Sequence, residues 1–296
     1  MLERDGYIEG VPCWIDTSQP DPEAAVDFYS GLFGWEFEDV TPPGAPAKYF
    51  IARLRGGDVA AVASLPEGAP PRAVWNSYIW SDDAEATAVK VFDAGGTVLM
   101  EPMDVTDAGR MAVFSDPEGA VFYVWQAKQH KGARIVNEPG SLNFNGLGIR
   151  DVKQARSFYG SVFGWETLSL SGEPDMWTLP GYGDHLEERD PGMRARMAEG
   201  GAPKGFEDVV ASINRIPENE PDTPPHWSVT FAVDDADATA AKAAELGGKV
   251  IVPPFDAPWV RMTVITDPQG ATFLASKFVP ENRDLATRAA SAAAAA

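Results

Sequence analysis

The chain has 296 residues, a formal net charge of −20 and an isoelectric point near 4.4. A surface this acidic repels phosphate backbones and anionic membranes, so we expect neither nucleic acid nor a membrane as a partner. The single cysteine, Cys13, excludes an intrachain disulfide, and no apolar stretch matches a secretion signal or a membrane span. We therefore expect a cytoplasmic protein.

The first predicted elements are a short apolar strand over residues 11–17 and an amphipathic helix. Asp21 is the candidate N-cap of this helix and Gly34 its terminator. Apolar side chains recur along it at helical spacing, namely Ala25, Phe28, Tyr29 and Leu32. This spacing predicts one buried helix face, and strands are predicted next at 48–54 and 59–64.

The same order of elements then starts again. A strand at 75–80 is followed by a helix from Asp83 to Gly95 and by strands at 97–100, 110–115 and 120–126. The segment Asp116-Pro-Glu-Gly119 predicts a hairpin turn, because proline fixes φ and glycine tolerates a positive φ. Each half of this region therefore has the order strand–helix–strand–strand–strand.

Three motifs of this region return later in the chain in the same order, which indicates a duplication. Phe28–Trp35 returns as Phe158–Trp165, Asp82–Thr87 as Asp234–Thr239, and Asp116–Ala120 as Asp267–Ala271. The sequence predicts a first domain at 8–127, a linker at 128–140, a second domain at 141–279, and an Ala-rich tail at 280–296. A polar insertion, predicted to be a loop, falls near 181–225 of the second copy.

This duplicated set of motifs resembles the vicinal oxygen chelate superfamily, which includes glyoxalase I, extradiol dioxygenases and bleomycin-resistance proteins. The likeness is greatest to its two-domain actinobacterial "hydroxylase-like" type, some of whose members accompany the synthesis of aromatic polyketide antibiotics. The resemblance implies an α+β fold of tandem domains. Its four strand–helix–strand–strand–strand units would form two open, cup-like sheets around small ligands.

The resemblance also implies where a metal would bind, since metal-dependent members place His, Gln or Glu at three positions of a cup. The corresponding residues are Trp14, Asn76 and Tyr123 in the first copy, and Phe144, Ser228 and Leu274 in the second. None is a good ligand for a divalent transition metal. The histidines His130, His185 and His226 share no motif. We therefore expect no metal and no cofactor.

Aromatic side chains in place of metal ligands predict stacking with flat apolar or cationic ligands. Strand alternation groups these side chains on one face and turns Ile79, Phe122 and Val124 toward the helices. The candidate ligand-binding residues are Trp14, Asp16, Asn76, Tyr78, Trp80, Arg110, Tyr123, Trp125, Phe144, Ser228 and Leu274. Two alternatives stay open: the aromatic residues pack together as core, and Arg110 forms a surface ion pair.

Three functions are consistent with these patterns. The first is metal-independent binding, as sequestration or in a carrier or accessory role, of an aromatic small molecule, neutral or cationic, such as an antibiotic or secondary metabolite. The second is a metal-free enzyme of secondary metabolism, hydroxylase-like, an isomerase or a lyase, with Asp16, Tyr78, Tyr123 or Arg110 supplying acid–base or orienting groups. The third is an assembly protein with vestigial pockets. We expect a monomer or a homodimer.

Overall fold

The computed structural model describes residues 3–69, 71–170 and 174–285, so residues 286–296 of the predicted tail lie outside the described residues. The first copy contains β1 (Pro12–Gln19), α1 (Pro22–Phe33), β2 (Glu36–Asp39), β3 (Tyr49–Leu54), β4 (Gly57–Ser64), β5 (Val74–Trp80), α2 (Ala84–Asp93), β6 (Thr97–Val105), β7 (Gly109–Ser115) and β8 (Val121–Ala127).

The second copy repeats this order and adds short helices. It contains β9 (Leu142–Ile149), α3 (Val152–Phe163), β10 (Glu166–Ser169), β11 (Pro174–Thr178), α4 (Tyr182–Arg189), α5 (Met193–Glu199), a 3-10 helix (Phe206–Asp208), β12 (Val209–Arg215), β13 (His226–Ala232), α6 (Ala236–Glu245), β14 (Lys249–Ala257), β15 (Val260–Thr266) and β16 (Thr272–Phe278). A second 3-10 helix follows at Pro280–Asn282.

The helix ends follow the local signals of the sequence. The Asp21 side chain accepts a hydrogen bond from the backbone N–H of Ala24 at 3.0 Å, and Gly34 ends α1 with φ of 70°. Asp151 and Gly164 do the same for α3, where φ of the glycine is 73°. Glycine suits these ends because a left-handed backbone conformation costs it little.

The strands form two eight-stranded sheets with the same order. The first is β2-β3-β4-β1-β5-β8-β7-β6 and the second is β10-β11-β12-β9-β13-β16-β15-β14. The predicted α+β tandem fold is therefore confirmed. Within the described residues, no helix has the length and apolar character needed to cross a bilayer.

The structure differs from the sequence-based prediction in three respects. β6 continues to Val105, well past its predicted end, and the short strands β2 and β10 lack a clear sequence signal. The segment predicted to be an inserted loop near 181–225 holds α4, α5, a 3-10 helix and β12. β12 pairs in parallel with β9 and is therefore part of the sheet.

The chain packs into two compact units, and each takes one module from each sequence copy. As far as these ranges are described, the first unit comprises Met1–Trp14, Asn76–Arg134 and Phe144–Ser228. The second comprises Ile15–Trp75, Ile135–Asn143 and Val229–Ala296. The compact units therefore do not coincide with the sequence copies.

Each unit has its own apolar core between helices and strands that come from different copies. In the first unit α2 contacts α3, and Phe114 and Phe122 pack in one cluster with Phe158 and Tyr159. In the second unit α1 contacts α6 and carries Tyr29 into a second cluster. Burial of aromatic side chains of this size is a dominant stabilising term.

A buried hydrogen-bond chain joins the two copies inside the first unit. One carboxylate oxygen of Asp116 accepts the backbone N–H groups of Glu118 and Ala120 at 3.0 and 2.9 Å, which closes the predicted turn. The other oxygen accepts the hydroxyl of Tyr159 at 3.0 Å. That hydroxyl in turn accepts the indole N–H of Trp227 at 3.2 Å. The Asp116 turn of the first copy is therefore hydrogen-bonded to Tyr159 on α3 of the second copy.

The second unit contains the equivalent chain with one extra donor. Asp267 accepts the hydroxyl of Tyr29 at 2.9 Å, and Tyr29 accepts the indole N–H of Trp75 at 3.1 Å. The amide of Gln19 also donates to Asp267, at 2.7 Å. The matching position in the first unit is Ile149, which has no polar side chain.

Burial keeps the tyrosines of both chains in their donating form. Desolvation raises the pKa of Tyr159 and that of Tyr29 well above the usual value for a phenol. Desolvation also raises the pKa of Asp116, although its hydrogen bonds act in the opposite direction. Both phenols therefore remain protonated throughout the ordinary pH range.

We predict that Tyr159→Phe destabilises the protein more than Tyr29→Phe does. Removing the Tyr159 hydroxyl leaves one carboxylate oxygen of buried Asp116 without its donor and the indole N–H of Trp227 without its acceptor, at a cost of about 1–3 kcal/mol. In the second unit Gln19 still donates to Asp267, so the loss is smaller. Urea unfolding followed by circular dichroism measures both values. Equal losses, or no loss for Tyr159→Phe, would contradict this account.

Candidate functional site

The strands β5 and β8 of the first unit separate their side chains onto two faces. Ile79, Phe122 and Val124 are fully buried in the cluster that contains α2 and α3. The alternate residues therefore lie on the opposite face of these strands. These are Asn76, Tyr78, Trp80, Tyr123 and Trp125, all of which the sequence predicts as ligand-binding.

Two aromatic pairs lie side by side on this opposite face. Tyr78 is in register with Tyr123, and their ring centroids are 4.7 Å apart. Trp80 is in register with Trp125. Tyr78 and Trp125 are 6% and 5% exposed, whereas Tyr123 and Trp80 are half-buried. The structure therefore brings these predicted residues together, with Tyr123 and Trp80 the more accessible of them.

Methionines extend the same face, and sequence reasoning did not include them in the site. Met111 of β7 is in register with Trp125, and Met103 of β6 is in register with Met111. Met103 is exposed, and its place on the sheet depends on the unexpected length of β6. Flexible thioethers beside aromatic rings make a surface that adapts to apolar ligands of different shape. We name Tyr78, Trp80, Tyr123, Trp125, Met103 and Met111 the aromatic surface.

Trp14 packs against a histidine that the sequence places in the linker. The rings of Trp14 and His130 meet edge to face with centroids 4.4 Å apart, and Trp14 is only 2% exposed. The indole N–H of Trp125 donates to the carbonyl oxygen of His130 at 2.9 Å. His130 is therefore half-buried against these two indole rings. For Trp14, the packing matches the core alternative that the sequence left open.

Arg110 forms ion pairs, which is the second alternative that the sequence left open. Its guanidinium contacts the carboxylates of Glu85 in the first turn of α2 and Asp104 of β6. The equivalent Arg261 contacts Asp237 in the first turn of α6, at 2.6 Å. In both units an arginine of a strand therefore forms an ion pair with the first turn of a helix. A role of Arg110 in ligand binding stays a prediction.

The second unit contains a buried carboxylate that the sequence also singled out. Asp16 is 3% exposed and accepts the hydroxyl of Tyr49 at 3.2 Å. Asp16 is in register with Ala61 of β4, and Tyr49 is in register with Ala63 of the same strand. Because these alanines are two residues apart, the side chains of Asp16 and Tyr49 lie on one face of the sheet and close together. Tyr49 carries no sequence motif, so only the pairing of β3 with β4 reveals it.

The remaining predicted residues belong to the second copy. In the first unit Phe144 contacts Phe206 of the 3-10 helix, with centroids 6.2 Å apart, and Ser228 donates to the carbonyl oxygen of Gly146 at 3.2 Å. In the second unit Leu274 is half-buried and in register with Thr230.

The donor groups at the positions implied by the superfamily do not fit a divalent transition metal. Three of them, Trp14, Phe144 and Leu274, have side chains without a metal-ligating atom. The other three, Asn76, Tyr123 and Ser228, offer neutral oxygen or amide groups. Over the described ranges, no three His, Cys, Asp or Glu side chains come close enough to hold an ion.

The family of the chain follows from comparison with known proteins. Residues 14–124 and 141–274 match the family model of the Glyoxalase/Bleomycin resistance protein/Dioxygenase superfamily. The two matched stretches correspond to the two sequence copies and cover most of the chain. The chain therefore belongs to this superfamily.

Curated relatives cover nearly the full length. The chain is 41% identical over 284 residues to the putative glyoxylase CFP32 of Mycobacterium tuberculosis. This alignment covers 95% of this chain and 100% of that protein. The chain is 36% identical over 287 residues to the anthracycline biosynthesis protein DauV of Streptomyces sp., with coverage of 90% and 93%.

Solved structures share the fold at low sequence identity. One is the Mn(II)-bound glyoxalase from Novosphingobium aromaticivorans, with a TM-score of 0.57, 16% identity, and coverage of 91% of this chain and 83% of that chain. Another is the 2,3-dioxygenase LapB from Pseudomonas sp. KL28, with a TM-score of 0.57, 14% identity, and coverage of 92% and 93%. At these identities the comparison speaks to the fold alone.

We predict that Gly109→Ala disturbs the aromatic surface. A Cβ at Gly109 would lie 2.4 Å from a ring carbon of Trp125 and 2.8 Å from the carbonyl oxygen of Gln126, so the indole must move. Overpacking of this kind costs about 1–3 kcal/mol. Thermal unfolding and tryptophan emission measure the effect. Gly200→Ala is the control, because its nearest contact would be an ordinary 3.4 Å. Equal behaviour of the two variants would contradict the prediction.

Proposed function

We propose that this protein binds an aromatic small molecule of secondary metabolism, neutral or cationic, on the aromatic surface and independently of a metal. The relationship to proteins named for anthracycline biosynthesis supports a role in secondary metabolism. The observation that carries the proposal is the Tyr78–Tyr123 ring pair, extended in the same sheet by Trp80, Trp125 and two methionines.

The chemistry of this surface favours flat ligands. Offset or edge-on contacts between rings contribute about 0.5–1.5 kcal/mol beyond the area they bury. The apolar area itself contributes about 25 cal/mol per Å² removed from water. The net charge of −20 raises the local concentration of cationic ligands at low salt. Sequestration or delivery of an aromatic metabolite needs only these terms.

We predict that chelator-treated protein binds an anthracycline with quenching of tryptophan emission. Tyr123→Ala should weaken the affinity by about 5- to 15-fold, because one ring contact and its apolar area are lost. Val89→Ala serves as the control, since Val89 is 60% exposed on α2 and outside the aromatic surface. Isothermal titration calorimetry confirms each dissociation constant.

Two outcomes would count against this proposal. Absence of quenching up to high micromolar anthracycline would remove its main support. Binding that requires added Fe²⁺, Mn²⁺ or Zn²⁺ would contradict its metal independence.

A specific observation also favours a second function, that of a metal-free enzyme. Asp16 is a buried carboxylate hydrogen-bonded to the phenol of Tyr49. A carboxylate with few solvent contacts is a candidate general base, and the phenol holds it in one orientation. An isomerase or lyase would use this group to remove a proton from a bound aromatic ketone or phenol.

The enzymatic alternative predicts that Asp16→Asn abolishes turnover. We expect a loss of at least about 100-fold, because the amide cannot accept the proton. Mass spectrometry and chromatographic retention of aromatic polyketides incubated with chelator-treated protein provide the measurement. Asp27→Asn, at an exposed position of α1, is the matched control. Binding without any chemical change in the wild type would favour the first function over this one.

A further inference from the structure

A second surface of the first unit differs in chemistry from the aromatic surface. It lies on β9, β12 and β13, on the face opposite to the buried residues Leu147, Ala211 and Ile213. Gly146 of β9 is in register with Ser212 of β12, and Gly148 is in register with Asn214. We name Gly146, Gly148, Ser212, Asn214 and Ser228 the hydroxyl surface.

Three polar groups of the hydroxyl surface converge above Gly146. A Cβ at this glycine would lie 2.4 Å from Nδ2 of Asn214, 2.8 Å from Oγ of Ser228 and 2.9 Å from Oγ of Ser212. Ser228 donates to the carbonyl oxygen of Gly146. The side chains of Ser212 and Asn214 make no hydrogen bond to any residue that the structure describes, so their donors and acceptors are available.

The first copy has the opposite distribution of large and small residues on the corresponding strands. There Asp16 takes the place of Gly146 and is in register with Ala61 instead of a serine. In the second copy the ends of Asn214, Ser228 and Ser212 lie where the first copy has the Asp16 side chain. Ser212 and Asn214 are consequently specific to the second copy, because Ala61 and Ala63 hold their positions in the first.

Apolar side chains lie beside the hydroxyl surface on β10, β11 and β9. Leu168 of β10 and Met176 of β11 continue the row of Ser212 across the sheet. Phe144 precedes Gly146 on the same face and contacts Phe206. A Cβ at Gly205 would lie 3.6 Å from Leu168. The 3-10 helix of the insertion therefore lies against this face and forms one wall of the surface.

We propose that the hydroxyl surface binds a neutral, hydroxyl-bearing ring, a role that rests on small-molecule binding as the function of this protein. Serine and asparagine side chains both donate and accept hydrogen bonds, as a ligand hydroxyl does. Neither residue carries a charge, so nothing in the convergent group favours an ionised ligand. The ring of the ligand packs on Met176 and Phe144, as in sites that combine an apolar lining with a few placed polar groups.

The experiment uses the full chain labelled with ¹⁵N and the probe 2-naphthol, with 2-methoxynaphthalene as the comparison that lacks a hydroxyl donor. We expect 2-naphthol to shift the amide signals of Ser212 and Asn214. The double variant Ser212→Ala, Asn214→Ala should weaken its affinity about 10-fold, since two net hydrogen bonds are lost. The affinity for 2-methoxynaphthalene should change less.

Two further variants separate binding from folding. Gly146→Ala fills the space to which the three groups point, and its nearest contacts are all side-chain ends, so it should fold and lose 2-naphthol affinity. Ser157→Ala, at an exposed position of α3, should leave the affinity unchanged. Circular dichroism and thermal unfolding verify the fold of each variant.

Shifts confined to the aromatic surface, or equal affinity of the wild type and the double variant, would overturn this inference and leave the proposed function intact. Absence of 2-naphthol binding up to about 1 mM would overturn it as well. Failure of the proposed function is a separate result, because it would show as absence of anthracycline binding by the wild-type protein or as unchanged anthracycline affinity of Tyr123→Ala.

Discussion

The architecture depends on a buried hydrogen-bond chain from an aspartate through a tyrosine to a tryptophan. In the first unit Asp116, Tyr159 and Trp227 form it, and the aspartate comes from one sequence copy while the tyrosine comes from the other. A buried carboxylate is costly unless its oxygens are satisfied. Here the turn amides satisfy one oxygen and the phenol the other, so the copies are held in a single register.

This constraint restricts the residues on one face of each sheet, the face that packs against the helices, more than those on the other. The helix face carries the repeated motifs, and its residues are so completely packed that their identity is dictated by volume and hydrogen bonding. The opposite face has no such requirement, and the copies have diverged there. Tyr123 in the first copy corresponds to Leu274 in the second, and Asp16 corresponds to Gly146. Divergence of this kind gives one fold several chemically distinct surfaces, two of which we propose as ligand sites.

Local signals account for what the sequence predicts well. Asp21 and Gly34 specify the ends of α1 through their own backbone geometry, and strand alternation places Tyr78 and Tyr123 on one face. Non-local contacts account for the rest. The packing of His130 on Trp14 depends on residues far apart in the chain. Periodicity also does not indicate which half of one copy packs against which half of the other. For the same reason the motif tyrosines look like simple core residues until their partners are known.

The most direct test of module pairing is the network of nuclear Overhauser effects between selectively labelled phenylalanine rings. Phe122 of the first copy lies 6.1 Å from Phe158 and 6.0 Å from Phe163 of the second, measured between ring centroids. We predict strong cross-peaks between Phe122 and both of these rings in the intact protein. Cross-peaks from Phe122 to Phe28 of its own copy, in place of those to Phe158, would contradict the account.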